Sequence, residues 1–253
     1  MRSRALVDLP ALWYGVARRL HVGTRALRQD RRHPIVPRPP SPTSTIVPTG
    51  GRRRPLRVLL LGNGPAESPG LEPGQPTFAD RIASELSACT GAPVQVRTVI
   101  GAAWDLPALR DRLAAEQVHR CDALVVTASY RPRLAEVPIA AWRAYTAALR
   151  TALVEAAGPR TEIRVLGLDW QDAVARAPEQ WGGSFGARIL LLAETAESVL
   201  DDRRAVPLRL AAPAEAAEWH GPAFTGVTYA GWARQVAEEL GPCLAPALAG
   251  ARS

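Results

Sequence analysis

From residue 55 onward, short continuous apolar runs alternate with longer runs of helical period. The stretches 56–61, 93–99, 122–128, 162–168 and 206–210 read as strands. The stretches 77–88, 105–117, 138–157, 186–200 and 228–240 read as helices. A strand such as Ala123-Leu124-Val125-Val126 is apolar on both faces, which suits a sheet covered by helices on both sides. Alternation of this kind gives parallel strands joined by crossover helices. The expected fold class is α/β: a three-layer α/β/α sandwich around a five-stranded parallel sheet. Ligands in such folds bind beyond the carboxyl ends of the strands. The loops starting at 62, 100, 129, 169 and 211 therefore carry the functional question.

The charge is split along the chain. All 31 basic residues are arginine. Residues 1–54 hold 12 Arg and 2 Asp, net +10; residues 55–253 hold 19 Arg and 22 acidic residues, net −3. The positive charge belongs to an N-terminal arm. A nucleic-acid-binding domain carries its basic face on the folded body, so no nucleic-acid partner is expected. Within the arm, residues 1–29 read as a basic amphipathic helical segment. Asp8 is placed to cap a helix over 8–29, and Pro10 falls in its first turn, where the missing N–H costs little. Leu9, Leu12, Trp13, Val16, Leu20 and Leu27 form one apolar stripe. Three covers fit the stripe: the body of the same chain, a partner protein, or an anionic membrane with Trp13 and Tyr14 at headgroup level. Residues 30–54 read as a Pro/Arg-rich linker, because Pro34, Pro37, Pro39, Pro40, Pro42 and Pro48 forbid a helix. The body spans 55–245, with a C-terminal tail at 246–253.

Cys89, Cys121 and Cys243 are scattered, odd in number and without C-x-x-C spacing. They read as small core fillers in a reduced compartment. No run of eighteen apolar residues occurs, and no apolar core with a cleavage site opens the chain. The expected location is cytoplasmic, with a peripheral membrane role open through the arm.

The strand Leu56-Arg57-Val58-Leu59-Leu60-Leu61 runs into Gly62-Asn63-Gly64, and Thr77-Phe78 opens the next helix. Val99-Ile100-Gly101 is a second strand followed by glycine, and a third strand ends at Thr127-Ala128-Ser129-Tyr130-Arg131. Near the C-terminus, His220-Gly221-Pro222-Ala223 precedes Tyr229, Trp232 and Ala233. Over roughly 55–240 this order resembles the SGNH/GDSL hydrolases, whose sheet is of the flavodoxin-like type. The basic amphipathic N-terminus and proline-rich linker look like those of some actinobacterial relatives.

The resemblance implies an ester-hydrolase scaffold with altered chemistry. Gly64 stands at the nucleophilic serine and Asn63 at the neighbouring aspartate. Gly101 keeps an oxyanion-hole position. Arg131 replaces the asparagine donor, His220 the aspartate of D-x-x-H, and Ala223 its histidine. Covalent ester hydrolysis needs a nucleophile, a base and oxyanion donors; the first two are absent from those positions. The leading expectation is a protein impaired or inactive as a serine esterase, retained to bind a ligand or partner. The alternative is an active hydrolase or acyltransferase rebuilt around Ser129 and His220, with Asp169 or Glu218 orienting the imidazole.

The binding cleft is expected to gather Asn63, Gly64, Gly101, Trp104, Ser129, Tyr130, Arg131, Asp169, Trp219 and His220. The ligand classes that fit are a small acyl group, a carbohydrate or an anion. Arg131 either forks onto an anion or pairs with Glu67 or Glu136. Trp104, Trp170 and Trp219 either wall an apolar pocket or pack loops onto the sheet end. Ser68 reads as a loop or cap serine, and Ser184 as a helix cap after the loop from Trp181. Asp169, Asp172 and His220 do not make a convincing metal set, and no cofactor is expected.

The arm yields the first prediction. Six apolar residues on one face do not stay in water cheaply, each large one being worth roughly 1.5–3 kcal/mol when fully buried. If a membrane covers the stripe, the purified chain should sediment with anionic vesicles, and binding should weaken strongly between low and physiological salt. No sedimentation at low salt would sink the membrane role.

Overall fold

In the computed structural model the described residues are 44–46, 54–100, 106–127, 137–176, 183–200, 204–213 and 224–249. Strands are β1 (Ser44–Ile46), β2 (Leu56–Gly62), β3 (Val94–Ile100), β4 (Ala123–Thr127), β5 (Glu162–Leu168) and β6 (Ala205–Leu210). Helices are α1 (Phe78–Thr90), α2 (Leu106–Ala115), α3 (Ile139–Ala156), α4 (Trp170–Arg176), α5 (Gly183–Leu200) and α6 (Gly226–Ala249). The sheet order is β1-β3-β2-β4-β5-β6. The five strands β2 to β6 run parallel, and β1 joins the β3 edge antiparallel, with Ser44 opposite Val96 and Ile46 opposite Val94. Without β1 the order is that of the flavodoxin-like doubly wound fold, as the resemblance implies.

Alternate residues of β2 divide the core. Leu56, Val58 and Leu60 join α1 and α6 on one face; Leu59 and Leu61 join α2, α3 and α5 on the other. Burial on both faces explains why the strand is apolar throughout. Helix α1 starts in a capping box: the Thr77 hydroxyl accepts from the Asp80 N–H, while the Thr77 N–H donates to the Asp80 carboxylate. It ends at Gly91, which takes the left-handed conformation with φ 62°.

Four expectations change. The linker over 30–54 contains a strand, because Ser44-Thr45-Ile46, two of them β-branched and none of them proline, can pair on the open edge of β3. Helix α6 does not stop at 240 but continues through Pro242 and Pro246 to Ala249, so the tail does not begin at 246. Leu240, Leu244 and Leu248 are buried at helical spacing, and their packing holds the helix past the backbone donors that proline lacks. The sequence pattern also gives no helix at 170–176, where α4 forms. Helix α5 begins at Gly183, which puts Ser184 inside its first turn rather than at its cap.

At the amino ends of the strands, one carboxylate ties the start of β2 to the start of β4. Asp122 accepts both Arg54 guanidinium nitrogens, at 3.0 and 2.6 Å, and the Arg57 N–H at 2.8 Å. Asp122→Ala should lower stability by roughly 1–3 kcal/mol, since it strands a backbone donor as well as a charge. Arg54 is half exposed, and Arg54→Ala should cost under about 1 kcal/mol. Urea unfolding of both variants checks the order; equal losses would mean that the ion pair and not the backbone contact dominates.

Candidate functional site

The strand register gathers the loop starts at one edge. Gly62 lies opposite Ile100 on β3 and opposite Thr127 on β4, and Leu168 lies opposite Leu210. These strand ends lie side by side. Strands β2 and β4 flank the point where the strand order reverses, the usual place for a ligand in this architecture.

The junction there is tight. Gly62 has φ 136°, a conformation that L side chains rarely adopt. A Cβ on Gly62 would lie 2.1 Å from the Thr127 carbonyl oxygen and 2.5 Å from its Oγ1. The Thr127 hydroxyl donates to the Asn63 carbonyl at 2.6 Å, and the Asn63 N–H points back to the Thr127 carbonyl at 3.4 Å. Glycine at 62 lets the two backbones meet, and Thr127 fixes the direction in which the chain leaves β2. Asn63 is buried within this lock.

Beyond it, residues Gly64–Glu67 form a single 3-10 turn. Gly64 has φ 61°, again in the left-handed region. Its N–H donates to Oε2 of Glu67 at 3.1 Å, and Glu67 is only 3% exposed. The Gly64 backbone donor is thus engaged by a buried carboxylate of the same turn. The sequence reading missed this role of Glu67. Its signal was the three-residue spacing from Gly64 to Glu67, short enough for an acidic side chain to reach back to a backbone N–H.

The turn is anchored from behind. Ser68, with φ 51°, accepts the Phe78 N–H on its Oγ at 2.8 Å and so caps α1, in line with its reading as a cap serine. The Pro69 carbonyl accepts the Tyr229 hydroxyl at 3.0 Å and the Phe224 N–H at 3.1 Å. Phe78, Phe224, Tyr229 and Trp232 pack ring against ring below. Trp232 also donates its indole N–H to the Ala211 carbonyl, which ties α6 to the end of β6.

Asn63, Gly64 and Asp169 are therefore at the same edge of the sheet. The Asp169 carboxylate accepts the Gln171 and Asp172 N–H groups, each at 3.1 Å, and caps α4. Trp170 lies buried with Ala173, Phe185 and Ile189, so it packs a helix onto the sheet end. Gly101, Trp104, Ser129, Tyr130, Arg131, Trp219 and His220 lie outside the described residues. Among the described residues no group of three His, Cys, Asp or Glu stands together as a metal site. A cavity of about 40 Å³ opens between α3, α5 and strands β5 and β6, walled by Trp142, Leu149, Val165, Ala196 and Leu208. It is far smaller than the roughly 300 Å³ at which small-molecule sites begin.

No protein-family model matches this chain, and no curated protein matches it. Solved structures do. An inhibitor-bound aryl esterase from M. smegmatis aligns at TM-score 0.54 and 13% identity, covering 75% of this chain and all of the esterase, 100%. A lipase from a goat rumen metagenome aligns at TM-score 0.51 and 12% identity, covering 72% of this chain and 95% of the lipase. A carbohydrate acetylesterase from Sinorhizobium meliloti aligns at TM-score 0.50 and 13% identity, covering 74% and 99%. The likeness is one of fold: the chain has the SGNH-hydrolase-like fold that its strand-to-turn motifs imply.

Proposed function

We propose that this protein keeps the SGNH scaffold without its serine-esterase chemistry and uses the carboxyl edge of the sheet to bind a ligand or partner. One observation carries the reading. At the position where the resemblance puts the nucleophile there is Gly64, which has no side chain, and its N–H is held by the buried Glu67 carboxylate. An ester carbonyl arriving there meets neither an attacking oxygen nor a free amide donor at that residue. The cytoplasmic placement is part of the same proposal; among the described residues no helix is long and apolar enough to cross a membrane.

The second reading is a rebuilt hydrolase around Ser129 and His220. It is supported by the register of Thr127 against Gly62, since Ser129 follows Thr127 by two residues in the sequence.

The expected outcome separates the two. Purified protein should show no turnover of short acyl nitrophenyl esters and no labelling by a fluorophosphonate probe. Gly64→Ser alone should not restore either. It places a side chain in the left-handed region at roughly 1–2 kcal/mol, leaves the amide with Glu67, and adds no base at Ala223. Probe labelling that disappears in Ser129→Ala would overturn the inactive reading in favour of the rebuilt site.

A further inference from the structure

On the α6 side of β5, far along the strand from the turn, a buried cation faces an exposed thiol. Arg164 is 6% exposed. Its Nη1 donates to Glu162 Oε2 at 3.2 Å and to the Ile163 carbonyl at 3.1 Å. Its Nη2 donates to Sγ of Cys243 at 3.2 Å. Its Nε–H finds no acceptor among the described residues. Cys243 itself is exposed, and its S–H points to the Glu239 carbonyl at 3.5 Å.

A guanidinium has five N–H donors, and burying it with donors unfilled is costly. Here one monodentate carboxylate, itself a third exposed, and one carbonyl share the task with a thiol, a weak acceptor. The arrangement lacks an oxygen acceptor at the sulfur. We propose that Cys243 is an oxidation site for peroxide-class oxidants, and that Arg164 holds the oxygenated sulfur. The site is independent of the reading given to the Gly64 turn.

The step balances as follows. The Cys243 sulfur attacks one oxygen of hydrogen peroxide; an S–O bond forms and the O–O bond breaks. Sulfur loses two electrons and the peroxide gains them. The expelled hydroxide, stabilised by the adjacent guanidinium, takes the thiol proton and leaves as water. The product is a sulfenic acid whose oxygen can accept from Arg164. A second peroxide gives a sulfinate, whose two oxygens match the guanidinium fork.

Cys89 is the control within the same chain. It too is exposed, but its thiol hydrogen-bonds toward the Leu86 and Ala237 carbonyls, and burial pushes its pKa up. The experiment exposes the reduced full-length protein to hydrogen peroxide with dimedone as trap and reads adduct rates at each cysteine by peptide mass spectrometry. Cys243 should react roughly tenfold or more faster than Cys89, as a thiol beside a fixed cation should. Arg164→Gln, confirmed folded by circular dichroism, should bring the ratio close to one. Glu162→Gln, a change at a partly exposed residue, should raise the Cys243 rate by releasing the guanidinium to the sulfur, and serves where Arg164→Gln does not fold. Equal rates at Cys243 and Cys89 in the native protein would overturn the proposal. So would a Cys243 rate that neither substitution changes.

Discussion

The close approach of Gly62 to Thr127 is the constraint on which the site end of this molecule depends. Parallel strands normally keep their backbones apart by the spacing of the ladder. Here the chain leaves β2 through a glycine whose missing Cβ is filled by the Thr127 carbonyl and hydroxyl. The hydroxyl then holds the Asn63 carbonyl, so the exit direction is set by β4 as well as by β2. Everything downstream inherits that direction: the left-handed Gly64, the turn closed by Glu67, and the Ser68 hydroxyl on α1. The Pro69 carbonyl then meets the start of α6. A change at Gly62 would move all of these together.

Much of this was legible in the sequence, for a definite reason. Strands buried on both faces must be apolar without interruption, and 56–61 and 123–126 are. Helix α1 announces itself through Thr77 and Asp80, a local signal independent of tertiary packing. What the sequence hid depends on distant partners. The strand β1 exists because β3 offers an edge, and nothing within Ser44-Thr45-Ile46 names that edge. Helix α6 passes two prolines because its leucine stripe meets α1 and the sheet, and local propensity alone ends it at Gly241-Pro242. The burial of Trp170 likewise follows from α5 folding back over it. At the site, Gly64 was readable as a missing nucleophile. The engagement of its amide by Glu67 was not, since the same spacing also fits an exposed acid.

Two residues in the left-handed region, Gly64 and Ser68, lie at either end of one short turn. Strain at non-glycine positions persists only where surroundings over-determine it. For Ser68 the surroundings are visible: a buried hydroxyl fixed to the first turn of α1 and a backbone N–H on the Pro65 carbonyl. Gly64 is different, because glycine carries no strain there and requires no compensation. The turn therefore reads as a structural junction with one costly residue.

This explains how the scaffold can persist apart from the chemistry that the resemblance implies. The groups that hold the carboxyl edge together are Gly62, Thr127, Ser68, Tyr229 and the rings beneath them. None of them is a nucleophile, base or oxyanion donor in the resemblance. Under the proposed function, a glycine with a satisfied amide at 64 carries none of the strain that a serine in the left-handed region would. Glu67 completes the exchange. A buried carboxylate is tolerable only when its oxygens are hydrogen-bonded, and the Gly64 N–H is one donor that meets this need. The Gly64 N–H is thus part of the packing of the turn, and under the proposed function it is not offered to a developing oxyanion.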